Sequence, residues 1–198
     1  VIVEQVKKRF GKLEVLKGIQ ATFEAGKITA IVGPNASGKT TLMKSILGLV
    51  LPDHGQVTID GHNVKDAQTR NMIGYMPQKA QFPDNLRIQE LLRWIEDLRG
   101  QKSLILNTLS THFELNPHLQ KPLRTLSGGT RQKVSAVLAL MFNPKVLLFD
   151  EPTAGLDPLS SSRLKDTILE QKAQGKTILL TSHVMSELEE LADEVLFL

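Results

Sequence analysis

The sequence has no cysteine among its 198 residues, which excludes disulfide bonds, thiolate metal sites and cysteine nucleophiles. Long apolar runs are also absent, since the longest, residues 134–142, is far shorter than the roughly 20 residues of a membrane-spanning helix. Neither sign of charge dominates, because 24 basic and 21 acidic residues leave a formal net charge of +3. That excess does not by itself indicate a surface for nucleic acid or membrane. The remaining composition, 41% hydrophobic and 23% charged, is that of a globular protein of one large domain.

Short runs rich in β-branched residues alternate with amphipathic segments, which predicts an α/β fold. Residues 27–32, 146–149 and 177–180 lack a polar face, as central strands do when a sheet is covered on both sides. Turns at Gly26-Lys27 and Asp60-Gly61 predict an antiparallel β piece near the N-terminus. The full set of predicted strands is 2–6, 21–24, 27–32, 56–59, 73–76, 146–149, 177–181 and 194–198.

Residues 80–143 contain no convincing strand and are predicted to be helical. The chain is therefore expected to form one domain, in which an α/β core (1–79 and 144–198) is interrupted by an inserted helical subdomain (80–143). The predicted helices are 86–98, 103–113 and 128–142 in the insertion, and 39–48 in the core.

Two further helix starts are predicted from capping signals. Pro158 is expected at the first helical position, with Asp157 as the N-cap before it. Ser186 and Glu189 have the spacing of a capping box, although a cap at Ser186 would start the helix late.

Residues 33–40 read Gly-Pro-Asn-Ala-Ser-Gly-Lys-Thr and match G-x-x-x-x-G-K-S/T between a predicted strand and a predicted helix. The backbone N–H groups of such a loop and the positive N-terminal end of the helix bind phosphate. Lys39 is expected to reach the β- and γ-phosphates, and the Thr40 hydroxyl to bind Mg²⁺. A structural glycine-rich turn is the alternative, but the match in this context predicts a nucleoside triphosphate site. The loop residues predicted to bind the nucleoside triphosphate are Gly33, Pro34, Asn35, Ala36, Ser37, Gly38, Lys39, Thr40 and Thr41.

Two adjacent carboxylates, Asp150 and Glu151, follow the apolar strand predicted at 146–149. An aspartate at such a strand end in P-loop proteins holds Mg²⁺, and the neighbouring glutamate could polarise a water for attack on the γ-phosphate. Acidic residues at strand ends are often only solvated caps, so this signal is weak alone. The second carboxylate favours an ATPase over a switch that only binds nucleotide.

A second anion-binding segment is predicted at Leu126-Ser127-Gly128-Gly129, which precedes an amphipathic helix. A hydroxyl and free N–H groups at a helix N-terminus form a phosphate cradle. The alternative interpretation is an ordinary N-cap with a flexible lead-in.

Taken together, these segments resemble the nucleotide-binding subunit of an ATP-binding cassette (ABC) transporter, in the right order and along essentially the whole chain. Residues 33–40 resemble the Walker A loop, 126–132 the signature motif and 147–151 the Walker B strand. The other family motifs are matched by Gln78 (the Q-loop), residues 154–157 (the D-loop), His183 in Thr181-Ser-His183 (the switch histidine) and Phe10 (the aromatic residue against adenine).

The resemblance implies a P-loop NTPase of the ABC ATPase fold, with a RecA-like core, an N-terminal antiparallel β piece and an inserted helical subdomain. It also implies head-to-tail association with a second copy of this chain or a homologous subunit. ATP is then expected between the Walker A loop of one subunit and the signature of the other, which explains why one chain needs two phosphate cradles. The residues expected to face the partner's ATP or report across the dimer are Ser127, Gly128, Gly129, Thr130 and Asp157.

Catalytic roles follow from the same resemblance. Glu151 is expected to be the general base, His183 to contact the γ-phosphate and orient water, and Gln78 to sense Mg²⁺. Mg²⁺, bound with ATP, is expected at Thr40, Gln78 and Asp150, and Phe10 and Val15 complete the ATP-binding set.

The family also implies an integral membrane permease as partner, in contact with the region from Gln78 to Leu86. The chain is then expected at the cytoplasmic face of the cell membrane, with no nucleic acid partner. Because family members continue beyond the last predicted strand, we expect the natural chain to extend past Leu198.

Narrower and competing assignments remain. The run Leu-Ser-Gly-Gly-Thr-Arg-Gln-Lys-Val-Ser-Ala, with the later Ala-Gly-Leu-Asp-Pro, resembles subunits for copper or sulfur-species transport in nitrous-oxide reductase maturation. The main alternative is a soluble ABC ATPase that acts on nucleic acid or ribosomes. Such proteins carry tandem cassettes, or a coiled coil or zinc element before the signature, whereas the interval from Gly33 to Ser127 has no cysteine and no heptads.

Two positions depart from the family pattern. Thr130 stands where glutamine is commonest in the signature, and Ala36 occupies a Walker A position usually held by glycine. If the loop requires a positive φ at Ala36, the alanine costs up to about 1 kcal/mol.

Overall fold

Two β-sheets form the framework of the computed structural model, which describes residues 1–198. The strands are β1 (Ile2–Phe10), β2 (Leu13–Thr22), β3 (Ile28–Val32), β4 (His54–Ile59), β5 (His62–Asn63), β6 (Ile73–Met76), β7 (Val146–Asp150), β8 (Thr177–Thr181) and β9 (Glu194–Phe197). The helices are α1 (Lys39–Ile46), α2 (Ala67–Arg70), α3 (Ile88–Arg99), α4 (Leu106–His112), α5 (Gly128–Leu140), α6 (Pro158–Ala173) and α7 (Met185–Leu191), with 3₁₀ turns at Asn116–His118 and Leu123–Thr125. One sheet is parallel, in the order β6-β7-β8-β3-β9, and the other is antiparallel, in the order β2-β1-β4-β5.

The parallel sheet is covered on both faces, as its apolar strands predict. Successive residues of a strand point to opposite faces. In β7, Leu147 and Phe149 belong to a core shared with α3, α5 and α6, whereas Val146 and Leu148 belong to a core shared with α1 and the antiparallel sheet. The carboxyl ends of β3, β7 and β8 are thereby fixed between two packed layers.

The N-terminal hairpin is longer than its sequence pattern predicts. β1 pairs with β2 from Ile2↔Thr22 to Phe10↔Leu13, so β1 continues beyond residue 6 and β2 begins well before residue 21. Residues 7–10 and 13–14 are mostly exposed, so cross-strand backbone hydrogen bonds rather than buried side chains extend this end of the hairpin, although Leu16 is fully buried. The predicted Asp60-Gly61 turn is confirmed: it connects β4 to β5, with φ of +51° and +79°.

Helices alone connect β6 to β7, as predicted, although they are shorter than the apolar patterns suggest. One of them, α5, lies directly on β6: a Cβ on Gly74 would be 2.0 Å from the Ala139 carbonyl oxygen. The division into core (1–79 and 144–198) and insertion (80–143) remains a proposal, because α3 and α5 share one hydrophobic core with the parallel sheet.

The two capping predictions have opposite outcomes. Asp157 caps α6, since its Oδ1 accepts the Ser160 N–H at 3.0 Å and its Oδ2 accepts the Ser160 hydroxyl at 2.6 Å. These hydrogen bonds are the main reason that the pKa of Asp157 is lowered. Ser186 is not a cap, because α7 already begins at Met185, so that prediction is wrong. None of the helices combines the length and the apolar character that crossing a bilayer requires.

Candidate active site

A cleft of about 350 Å³ lies at the carboxyl ends of three parallel strands. The glycine-rich loop follows β3, Asp150 ends β7, and His183 follows β8. In open parallel sheets this edge is where ligands bind. The cleft is lined by Phe10, Leu13 and Val15 from the N-terminal hairpin and by Asn35, Ala36, Gly38, Lys39, Thr40, Thr41, Gln78, Asp150, Glu151 and His183.

The glycine-rich loop is shaped for a phosphate by its own backbone. Gly38, the N-cap of α1, has φ +107°, and a Cβ there would lie 2.9 Å from Leu16 Cδ2, so the position requires glycine. Lys39 Nζ donates to the carbonyl oxygens of Gly33 at 2.7 Å and Pro34 at 3.0 Å. The ammonium group is therefore held over the loop, close to the N-terminal end of α1, where anions are favoured.

Not every predicted loop residue faces the cleft. Gly33, Pro34 and Ser37 are absent from its lining, and Ser37 lines a neighbouring cavity instead. The Ser37 hydroxyl is buried without a hydrogen-bond partner. Ala36 has φ +65°, so the positive φ anticipated for the glycine-like position is present.

Asp150 is oriented by a neighbouring strand. It is only 6% exposed, and its Oδ1 accepts the hydroxyl of Thr181 at 2.7 Å. Its Oδ2 lies 3.5 Å from Thr40 Oγ1, which donates to it. The two oxygens predicted to hold Mg²⁺ are therefore adjacent.

The side chain of Glu151 points in a different direction from that of Asp150, because the backbone leaves the strand at Glu151 with φ +51°. Its N–H donates to the Thr181 hydroxyl at 3.0 Å, and its Oε1 lies 3.0 Å from His183 Nε2. A positive φ at a non-glycine residue costs of order 1–3 kcal/mol and is characteristic of functional sites. The pair joins a candidate general base to a histidine across the mouth of the cleft.

The oxygen atoms of Thr40 and Asp150 fit Mg²⁺. This cation prefers oxygen ligands and is usually held by one or two protein groups, with water and substrate phosphates completing its shell. No cluster of three or more histidine, aspartate or glutamate side chains that could hold a metal occurs in the structure. A cation that arrives with the phosphates of a nucleotide matches this donor set.

Comparison with known proteins decides the family. The ABC transporter family model matches residues 16–154. The chain belongs to the ABC transporter family. It is 34% identical, over 94% of its length, to an uncharacterized ABC transporter ATP-binding protein of Synechocystis, and 31% identical, over 99%, to the lantibiotic transport ATP-binding protein SrtF of Streptococcus pyogenes. A solved structure described as the ATP-binding subunit of an ABC transporter superimposes with a TM-score of 0.93 at 30% identity, covering 100% of this chain and 85% of that one.

The relatives differ in how much of their length this chain spans. It covers 54% of the Synechocystis protein and 85% of the streptococcal one.

The predicted α/β, P-loop ABC ATPase fold is confirmed, and the chain is an ABC ATPase.

In this ABC ATPase, the signature residues do not reach the cleft. Ser127 is the N-cap of α5, where its Oγ accepts the Thr130 N–H at 3.2 Å and lies 2.9 Å from Thr130 Oγ1. A Cβ on Gly129 would lie 3.3 Å from the Gly155 carbonyl oxygen, so the signature adjoins the D-loop. We call the surface formed by residues 127–130 and 154–157 the signature surface.

Three residues of the site were given no role in the sequence-based prediction. Leu13 lines the cleft, and Thr181 connects Asp150 to Glu151. Gln132, only 6% exposed, donates from Nε2 to the Gln78 carbonyl at 3.2 Å and so connects α5 to the Q-loop. Thr181 belongs to the motif of the switch histidine and Gln132 to the signature motif, but neither pattern reveals these contacts.

Proposed function

We propose that this chain binds and hydrolyses ATP as the nucleotide-binding subunit of an ABC transporter, and that ATP-dependent dimer closure drives a membrane permease. The observation that supports this best is the Glu151–His183 contact, at 3.0 Å, in the cleft that also contains Lys39 and Asp150. A protein that only binds nucleotide has no need of a carboxylate held beside a histidine at the phosphate end.

Each group has a part in phosphoryl transfer. Glu151 accepts the proton of the attacking water, and His183 orients that water and contacts the γ-phosphate. Lys39 and the loop N–H groups stabilise the charge that develops on the phosphoryl oxygens. Mg²⁺, when bound at Thr40 and Asp150 with Gln78 nearby, neutralises phosphate charge. Phe10 and Val15 offer the purine an apolar surface.

The signature supports a shared site. Ser127 and Gly128 are exposed, and the Cβ position of Gly128 has no atom within 4 Å. We propose that this open helix start receives the γ-phosphate of ATP bound to a second copy or a homologous subunit. Asp157, on the same signature surface, contacts the partner subunit.

The permease and the location are further parts of the proposal. The lantibiotic transport protein of Streptococcus pyogenes is by its name part of a transport system, which supports a permease partner here. We assign its contact to the exposed region from Gln78 to Leu86, which places the chain at the cytoplasmic face of the membrane. Nucleic acid is not part of this proposal.

Copper or sulfur-species transport is a narrower proposal. It is supported by the signature run and the residues after Glu151, whereas neither relative described above is named for copper. The permease determines the substrate, so co-purification of the chain with its permease and measurement of copper transport in vesicles would test it.

The rate of phosphate release tests the proposed function directly. Because the site needs two subunits, the rate per chain is expected to rise with protein concentration, and to require Mg²⁺. A chain that binds ATP but releases no phosphate at any concentration would be a nucleotide switch. A rate per chain independent of concentration would mean that one chain hydrolyses ATP alone.

A further inference from the structure

One carboxylate outside the cleft connects the loops that follow β7 and β8. Thr153 lies shortly after Glu151, Ser182 directly precedes His183, and Glu187 lies in the first turn of α7. Glu187 Oε2 accepts one hydrogen bond from Thr153 Oγ1 at 2.9 Å and another from Ser182 Oγ at 2.8 Å. A single oxygen atom therefore holds both loops.

This contact holds the start of the loop that bears His183 against α7. The side chain of His183 is 54% exposed, so burial does not fix it. Val184 N–H donates to Ser182 Oγ at 3.0 Å, while the same hydroxyl donates its own proton to Glu187. Without the carboxylate, the Ser182 hydroxyl is free to rotate, and the loop loses its attachment to α7.

Thr153 extends the connection to the signature surface. Leu156 N–H donates to the Thr153 carbonyl oxygen at 3.1 Å, in the turn that leads to Asp157. Hydrogen bonds to an ionised carboxylate are stronger than those between neutral groups. These hydrogen bonds form a continuous path from the Asp157 segment through Thr153 and Glu187 to the histidine loop.

We propose that Glu187 is a positioning residue, which holds His183 in place against Glu151 and couples it to the segment that bears Asp157. Glu187 does not line the cleft, so it acts through Ser182 and Thr153. The proposal rests on the proposed function, since it concerns the rate of ATP hydrolysis at this site.

The first test is Glu187→Ala, with Glu189→Ala as the matched control, because Glu189 is an exposed acidic residue of the same helix. Misplacing a catalytic group by about 1 Å can cost about 100-fold in rate, so kcat is expected to fall at least about tenfold in Glu187→Ala. KM and the Kd for ATP are expected to stay within about twofold, because the Lys39 loop is untouched. Glu189→Ala is expected to match the wild type.

A double-mutant cycle separates positioning from stability. Ser182→Ala and Thr153→Val each remove one hydrogen-bond donor to Glu187. In the variant that carries both substitutions the contacts are already lost, so adding Glu187→Ala is expected to change kcat little. The conservative variants Ser182→Thr and Thr153→Ser keep their hydroxyls and are expected to retain kcat. Additive losses, an unchanged kcat in Glu187→Ala, or a fall in kcat matched by a fall in Tm would overturn the proposal. Absence of hydrolysis in the wild type would instead overturn the proposed function.

Discussion

The two phosphate-binding segments of this chain differ in how complete they are. The loop at residues 33–40 lies in a cleft, its Lys39 ammonium is bound by two carbonyl oxygens, and Thr40 adjoins Asp150. The signature at residues 127–130 lies at the surface, and its Ser127 hydroxyl is engaged by its own helix. The first segment is a site within one chain, whereas the second is a helix start without a facing cleft.

This difference indicates which steps need a second subunit. In the proposed dimer, binding of the nucleotide depends on the complete segment, whereas hydrolysis depends on both. Substitutions in the cleft and at the signature should therefore separate binding, closure and catalysis.

The largest effect is expected for Glu151→Gln. Loss of the general base should lower kcat about 10²- to 10⁴-fold, while ATP binding persists because Lys39 is intact. Size exclusion with Mg²⁺ and ATP should then show a trapped, nucleotide-bound dimer. The exposed residue Glu170 of α6 provides the control Glu170→Gln, which should behave as the wild type. A Glu151→Gln protein that stays monomeric would contradict the shared site.

Lys39→Ala removes the cation from the complete segment. A charge-assisted contact with phosphate is lost, so affinity for ATP should fall at least about 100-fold, which abolishes measurable binding and with it dimer formation. Isothermal titration calorimetry measures this. Lys44→Ala, at the exposed end of α1, keeps the loop and should bind ATP normally. An unchanged affinity in Lys39→Ala would refute the assignment of the loop.

Ser127→Asp tests the incomplete segment. Aspartate is as good an N-cap as serine, so α5 should remain stable, but its charge repels a phosphate of the partner's ATP. Hydrolysis and dimer formation should fall at least about tenfold, whereas the Kd of the monomer for ATP should stay unchanged. Ser127→Thr keeps the hydroxyl and should retain most of the activity. A weakened Kd for ATP in the Ser127→Asp monomer would mean that the signature acts within its own chain.

The sequence predicted the complete segment better than its surroundings. The Walker A loop, Asp150 and Glu151 are recognisable because the residues of each motif are adjacent in sequence. Each motif therefore forms a single loop or a single strand end, whose geometry its sequence predicts. The roles of Thr181, Gln132 and Glu187 depend on contacts between residues far apart in sequence, or between loops, so spacing does not reveal them. The length of the N-terminal hairpin was underestimated for a related reason, since pairing between its strands rather than a hydrophobic pattern sets that length.

The smallest effect concerns strain in the loop. Ala36 is exposed and has φ +65°, where an alanine pays of order 1 kcal/mol that a glycine does not. Ala36→Gly relieves this strain. It also gives the unfolded chain more conformational entropy, which lowers the free energy of unfolding by about 0.4–1 kcal/mol. The net free energy of unfolding should therefore rise by less than about 1 kcal/mol. Ala36→Val places a β-branched side chain at the same φ and should lower it by at least about 1 kcal/mol. Denaturation in urea measures the free energy of unfolding of both variants. Equal stability of the glycine and valine variants would show that the loop relaxes to negative φ at this residue. The complete segment would then be less preformed than its geometry indicates.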